Sequence, residues 1–180
     1  MEIIVLLAVV SVVAALSVPA IMQANRLQRV QQTWEILERT RLAAFNATAP
    51  NHAFQQEVGR HPGRLSQLVT PITVADLSSC GTNYTPGQVA LWNGPYGGST
   101  IDPTVGLPTP IGIGLNTLTR TPVGFGSGTL AILIPAVDLP DIVLLDQVFD
   151  NGDGNLSGNV QWTLLGVDTL KYSWPHTAAC

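Results

Sequence analysis

The sequence predicts an α+β protein: a long N-terminal α-helix packed on a small antiparallel β-sheet head. Three observations carry that expectation. Residues 3–22 are an almost unbroken apolar run, with Glu2 before it and Pro19 near its end. From Gln23 to about Ala47 the apolar residues recur at helical spacing. Late in the chain, residues 129–134, 159–165 and 169–174 are rich in β-branched and aromatic side chains, the composition of strands.

The apolar run comes first. About 20 apolar residues, rising roughly 1.5 Å each, are long enough to cross a bilayer. An acid at the end of such a run is costly in hydrocarbon and needs a partner. The run is therefore expected to sit first in a membrane and then to pack where something neutralises Glu2. Two other readings compete. A secretory signal peptide would carry a basic start, but no Lys or Arg occurs before Arg26 and the early charge is an acid. A plain transmembrane anchor leaves Glu2 without a role. Pro19 is the weak point of the helix, because it removes a hydrogen bond and crowds the preceding turn.

The amphipathic continuation follows. Leu27, Val30, Trp34, Leu37 and Ala44 fall at spacings that share one face, with Arg26, Arg29, Glu35, Glu38 and Arg39 around the rest. Such a stripe is expected to cover a sheet of the same chain. Glu35 and Arg39 stand four apart, the spacing of a helical ion pair. The arginines are expected either to stay solvated or to meet anionic lipid or acids of a neighbour. Pro50 disfavours helix at the residue before it, so the rod is expected to end near Thr48–Ala49. This divides the chain into an apolar half-helix at 1–25, an amphipathic half-helix at 26–49, and a globular α+β head at 50–180.

Within the head, residues 63–69 suggest a short helix. The segment Trp92-Asn93-Gly94-Pro95-Tyr96 suggests a tight turn with two partly buried rings whose polar tips are bonded. Residues 97–128 read as loops and short strands. A further helix is expected from Asp138, with Asp138 as its N-cap, Pro140 early and Ile142, Leu145 and Phe149 on one face. The loop Asp150-Asn151-Gly152-Asp153-Gly154-Asn155 then offers acid and amide oxygens in glycine-rich sequence. Asp150, Asp153 and Asn155 are candidate calcium ligands on that pattern. The same residues also serve simply as turn formers, and Phe149 stands where an EF-hand would place its first acidic ligand.

Function classes are narrowed by composition. Charged residues are only 11% of the chain, Gly (17) and Pro (13) are plentiful, and the net charge of −4 leaves no basic footprint for nucleic acid. The histidines His52, His61 and His176 are scattered, and Ser127 lacks the surroundings of an activated nucleophile. No enzyme is expected. The two cysteines, Cys80 and Cys180, are expected to form a disulfide in an exported chain. Closing a loop of roughly 100 residues would contribute about 4–5 kcal/mol on chain entropy.

The residues at the start resemble a known family. A hydrophobic helix with a glutamate near its N-terminus and a proline 17 residues later is the pattern of type IV pilins and type II secretion pseudopilins. Glu2 and Pro19 show that spacing. The Trp-x-Gly-Pro-Tyr turn at 92–96 is similar to one in the major pseudopilins. The resemblance implies a structural subunit of a helical extracellular filament, a homopolymer assembled through its N-terminal helix, with Glu2 pairing the N-terminal amine of an adjacent copy. It implies residence in the inner membrane before assembly and on the cell surface afterwards, and it makes calcium a conceivable ligand. Two alternatives stand beside it: a periplasmic major pseudopilin of a secretion system, and a membrane-tethered monomeric binding module.

Overall fold

A computed structural model describes residues 2–45, 53–96, 101–123, 127–163 and 168–177. Its first element is α1 (Glu2–Phe45), a single helix of 44 residues that runs through Pro19. At 1.5 Å per residue it is about 66 Å long, so only part of it can lie on a head of this size. The contact half carries the expected stripe. Val30, Leu37 and Ala44 are buried and Trp34 is half-buried, while Leu27, at the edge of the head, is 36% exposed. Two threonines buried in this stripe, Thr33 and Thr40, return their hydroxyls to the carbonyls of Arg29 and Ile36 at 2.9 and 2.8 Å. That back-bonding lets polar side chains sit in an apolar interface without an unpaired group.

The expectation of an inner-membrane stage is overturned. Among the described residues, no helix is long and apolar enough to cross a membrane.

The sheet that α1 covers has four antiparallel strands: β3 (Thr119–Val123), β4 (Ser127–Pro135), β5 (Val160–Thr163) and β6 (Thr169–Thr177), in the order β3-β4-β6-β5. The long pair in the middle, β4 and β6, sets Leu130 opposite Trp174, Ile132 opposite Tyr172 and Ile134 opposite Leu170. All six side chains are buried, as period-two alternation demands of a face turned to the core. A two-stranded hairpin, β1 (Leu107–Thr109) and β2 (Gly112–Gly114), lies against β4, where Leu115 N–H donates to Leu133 O at 2.8 Å. Gly114 packs closely there: a Cβ would sit 3.1 Å from the Ile132 side chain and 3.2 Å from that of Leu107, so those neighbours would have to shift by a few tenths of an ångström.

Short pieces complete the head: α2 (Phe54–Val58), a 3₁₀ turn at Leu65–Leu68, and α3 (Pro86–Ala90) closed at its start by a Thr85/Gln88 capping box. The 92–96 turn has the bonded ring tips expected of it. Trp92 Nε1 donates to Gln67 O at 2.9 Å, and the Tyr96 hydroxyl donates to Glu57 Oε2 at 2.6 Å. The last helix, α4 (Leu139–Phe149), buries Ile142 and Leu145. The capping expectation fails in one detail. Asp138 takes the extended N-cap backbone, but its side chain makes no cap hydrogen bond. Cys80 is disulfide-bonded, and Cys180 lies outside the described residues.

Candidate functional site

Three places on this fold bear candidate functional side chains, and α1 and α4 position all of them. The first is the free half of α1. Ile3 (76% exposed), Val13, Val18, Ile21 and Met22 (65%) all face solvent in the single chain. Pro19 sits within this stretch. Having no N–H, it leaves the carbonyl of Ala15 without its usual helical donor. Two residues before it, the Ser17 hydroxyl donates to Val13 O at 2.8 Å. Glu2 opens the helix, and its side chain lies outside the described residues.

The second place is where this free half meets the head. Asp141, in the first turn of α4, is only 2% exposed and is gripped from α1 by two arginines. Arg29 donates to Asp141 Oδ2 at 3.0 Å, and Arg26 Nε lies 2.8 Å from Oδ1 as a charge contact without hydrogen-bond alignment. The position near a helix N-terminus further favours an anion at Asp141. Beside this ion triad is a mainly apolar groove of about 580 Å³, lined by Gln23, Leu27, Leu139, Pro140, Val143 and Leu144. The arginines read from sequence as solvated or lipid-facing thus include two that pair within their own chain.

The third place is the far end of α4. Asp146, Asp150 and Asp153 bring carboxylate oxygens within 4.8 Å of one another. Asp146 sits in the last turns of the helix, Asp150 caps its C-terminus, and Asp153 lies in the turn that leads to β5. Asp150 Oδ2 accepts from Val160 N–H at 2.6 Å, which ties the cluster to the first residue of β5. Gly158 (φ +70°) lies directly under the carboxylates, and a Cβ there would run into Asp150 Oδ2 and Asp153 Oδ1. Burial pushes the Asp146 carboxyl above the ordinary aspartate range. The Gly154 N–H opposes this, and the negative charges of Asp153 and Asp150 add to it.

Of the residues singled out in the sequence, Asp150 and Asp153 converge, whereas Asn155 is engaged through its carbonyl, which accepts from Trp162 N–H at 3.2 Å. Sequence reading missed Asp146 and Asp141. A signal for Asp146 was present: Asp146, Asp150 and Asp153 stand four and three apart, the spacing of one helical face. For Asp141 no local signal existed, because its arginine partners lie on the other helix. The buried His61 packs against the Phe45 ring at 4.7 Å, a core contact rather than part of any of the three places.

The chain matches no protein-family model, no curated protein and no solved structure. The class that fold and sites define is an α+β head carried on a long helix.

Proposed function

We propose that this chain is the structural subunit of a helical filament, assembling through α1 in the manner of the type IV pilins and pseudopilins that its first residues resemble. The observation that supports this reading is the free half of α1. Ile3, Val13, Val18, Ile21 and Met22 are exposed on this half in the single chain, and exposed apolar side chains gathered on one element mark an interaction site. Copies of the same helix cover them. The contact is heterologous, one surface of a copy meeting a different surface of the next, so assembly is open-ended. Burial at about 25 cal/mol per Å² of apolar surface provides the drive, and the sheet-bearing heads tile the outside.

The test compares the purified full-length chain with one lacking residues 1–22, by sedimentation and electron microscopy. The full-length chain is expected to form elongated particles of high mass, and the truncated chain to remain a monomer with the circular dichroism of a folded head. Filaments from the truncated chain, or a full-length chain that stays monomeric at high concentration, would overturn the reading.

A further inference from the structure

We infer that the groove between α1 and α4 receives the N-terminal end of a neighbouring copy's α1, with that copy's Glu2 set against Arg26 and Arg29. The docking rests on the filament reading above and deepens it, because it names the surface of the head that the next rod meets. The groove, of about 580 Å³, is lined by Leu27 of α1 and by Leu139, Pro140, Val143 and Leu144 of α4. None of these five side chains is buried in the single chain. A smaller hollow of about 240 Å³ continues it, since Gln23 and Arg26 line both, and brings in Met22 and Arg29. The apolar half of the rod thus runs directly into the site. An apolar groove by itself would not select an occupant. The charges beside it do. Asp141 lies at 2% exposure and neutralises one of the two arginines, which are themselves 41% and 45% exposed. Each guanidinium has five N–H donors, yet among the described residues only the bond from Arg29 to Asp141 Oδ2 is aligned. One positive charge and several donors are left over at the end of an apolar groove.

The start of α1 is the complement of that site. Glu2 is followed directly by Ile3-Ile4-Val5-Leu6-Leu7, and Ile3 is 76% exposed. A helix laid in an apolar groove buries positions three and four apart, and an acid one step ahead of them meets the arginines at the groove's end. A carboxylate and a guanidinium form paired, charge-assisted hydrogen bonds that an ammonium group does not offer. The arginines of the rod–head junction, rather than an N-terminal amine, are therefore assigned to Glu2. A chain cannot fill its own groove. Ile3 stands 24 positions before Leu27 on one unbroken helix, about 36 Å away along its axis. Two copies in this contact are staggered by about the same distance.

The experiment assembles the full-length chain and measures cross-linking and pelletable fraction. Ile3→Cys combined with Leu144→Cys should give, after mild oxidation of assembled protein, a ladder of linked copies on a non-reducing gel. A disulfide needs Cα atoms within about 7 Å, so positions 3 and 144 can be joined only between copies. Ile3→Cys with Val148→Cys, an exposed position of α4 off the groove, should give no ladder. Val143→Asp places a charge in the contact and should lower the pelletable fraction at least about tenfold, while circular dichroism still shows a folded head. Glu2→Ala and Arg26→Gln should each reduce assembly, and the double variant should fall no further than the lower single, as for two groups in contact. Wild-type filaments without the 3–144 ladder, with an equal ladder from the 148 pair, or with wild-type assembly by Val143→Asp would overturn the docking and leave the filament reading standing. Strict additivity of Glu2→Ala and Arg26→Gln would overturn the arginines as the partner of Glu2. A wild-type chain that forms no filaments would overturn the filament reading and the docking with it. Should Val143→Asp not fold, the cysteine pairs decide.

Discussion

Trp34, on the long helix, stacks face to face on Phe149, the last residue of α4, with ring centroids 5.0 Å apart and planes 9° from parallel. The same indole meets Tyr172 of β6 edge-on at 5.6 Å. One side chain thus joins α1, α4 and the sheet. Beside it, Tyr172 donates its hydroxyl to Glu38 of α1, and Glu38 in turn receives Arg41 in a forked contact at 2.6–3.1 Å.

Trp34→Ala is therefore expected to cost about 3 kcal/mol, the low end of the range for an aromatic because the indole is half-buried, and Phe149→Ala less, because the smaller ring is also only half-buried. The double variant should recover about 0.5–1.5 kcal/mol relative to the sum of the singles, the share that belongs to the stack. Denaturant unfolding of the three variants measures it. Strict additivity would mean that the rings touch without coupling.

The Asp141 triad makes an asymmetric prediction. Its acid is buried, whereas Arg26 and Arg29 are 41% and 45% exposed. Removing the acid, as Asp141→Asn, frees two arginines that can rehydrate, so the loss should be about 1 kcal/mol. Removing both cations, as Arg26→Ala with Arg29→Ala, strands a buried carboxylate and should cost about 3 kcal/mol or more. Unfolding free energies at neutral pH decide it, and equal losses would show that the carboxylate is better solvated than its burial implies.

Much of the scaffold was legible in the residues themselves. The stripe Val30–Leu37–Ala44 and the strands near 129–134 and 169–174 are set by periodicity, and periodicity is a local property. The extent of β4 and β6 was underestimated, since Pro135 and Pro175 read as strand ends yet take part in the ladder. Their placement follows from cross-strand pairing, which no single segment displays. The acid cluster was half legible. Asp150 and Asp153 stand in an evident turn, but Asp146 reads as one more polar position of a helix until the fold buries it. The Asp141 triad was not legible, because it joins residues 112 positions apart, and only the docking of α4 on α1 brings them together.

The tyrosines predict the alkaline limit of the head. Burial raises the phenol pKa of Tyr84, Tyr96 and Tyr172 well above the ordinary value of 10.0. The charge of Asp76 adds to this at Tyr84, the Glu57 hydrogen bond at Tyr96, and the Glu38 hydrogen bond at Tyr172. A pKa raised on folding means stability that is complete below the unfolded pKa and is lost as pH climbs towards the folded one. The head should hold to about pH 10 and weaken beyond it. Tyrosinate absorbance should rise in one step, together with the loss of circular dichroism. A gradual rise near pH 10 in the folded protein would contradict the burial of these hydroxyls.

The disulfide at Cys80 should involve Cys180, the other cysteine of the chain. Free-thiol labelling of the denatured, unreduced protein should then find neither residue. Cys80→Ser should lower stability by about 2–5 kcal/mol, as losses of native disulfides do. Full labelling of Cys180 would exclude the pairing.

Glu2 tests the filament reading at a single atom group. It opens the half of α1 that exposes Ile3, Val13, Ile21 and Met22, the half that has to be covered by other copies if the chain assembles through it. Inside a bundle of apolar helices an unpaired carboxylate must take up a proton or find a cation. A cation on a neighbouring copy, shifted along the axis, would satisfy it and fix the axial register at the same time. Glu2→Ala should therefore leave the circular dichroism and melting temperature of the head unchanged, because Glu2 lies far along the rod from the sheet, while the pelletable fraction falls at least about tenfold, the effect of losing roughly 1.4 kcal/mol per contact. Glu2→Asp should fall between the two, since it keeps the charge and shortens its reach by one methylene. Wild-type assembly by Glu2→Ala would remove the acid from the mechanism and leave apolar burial alone to drive it.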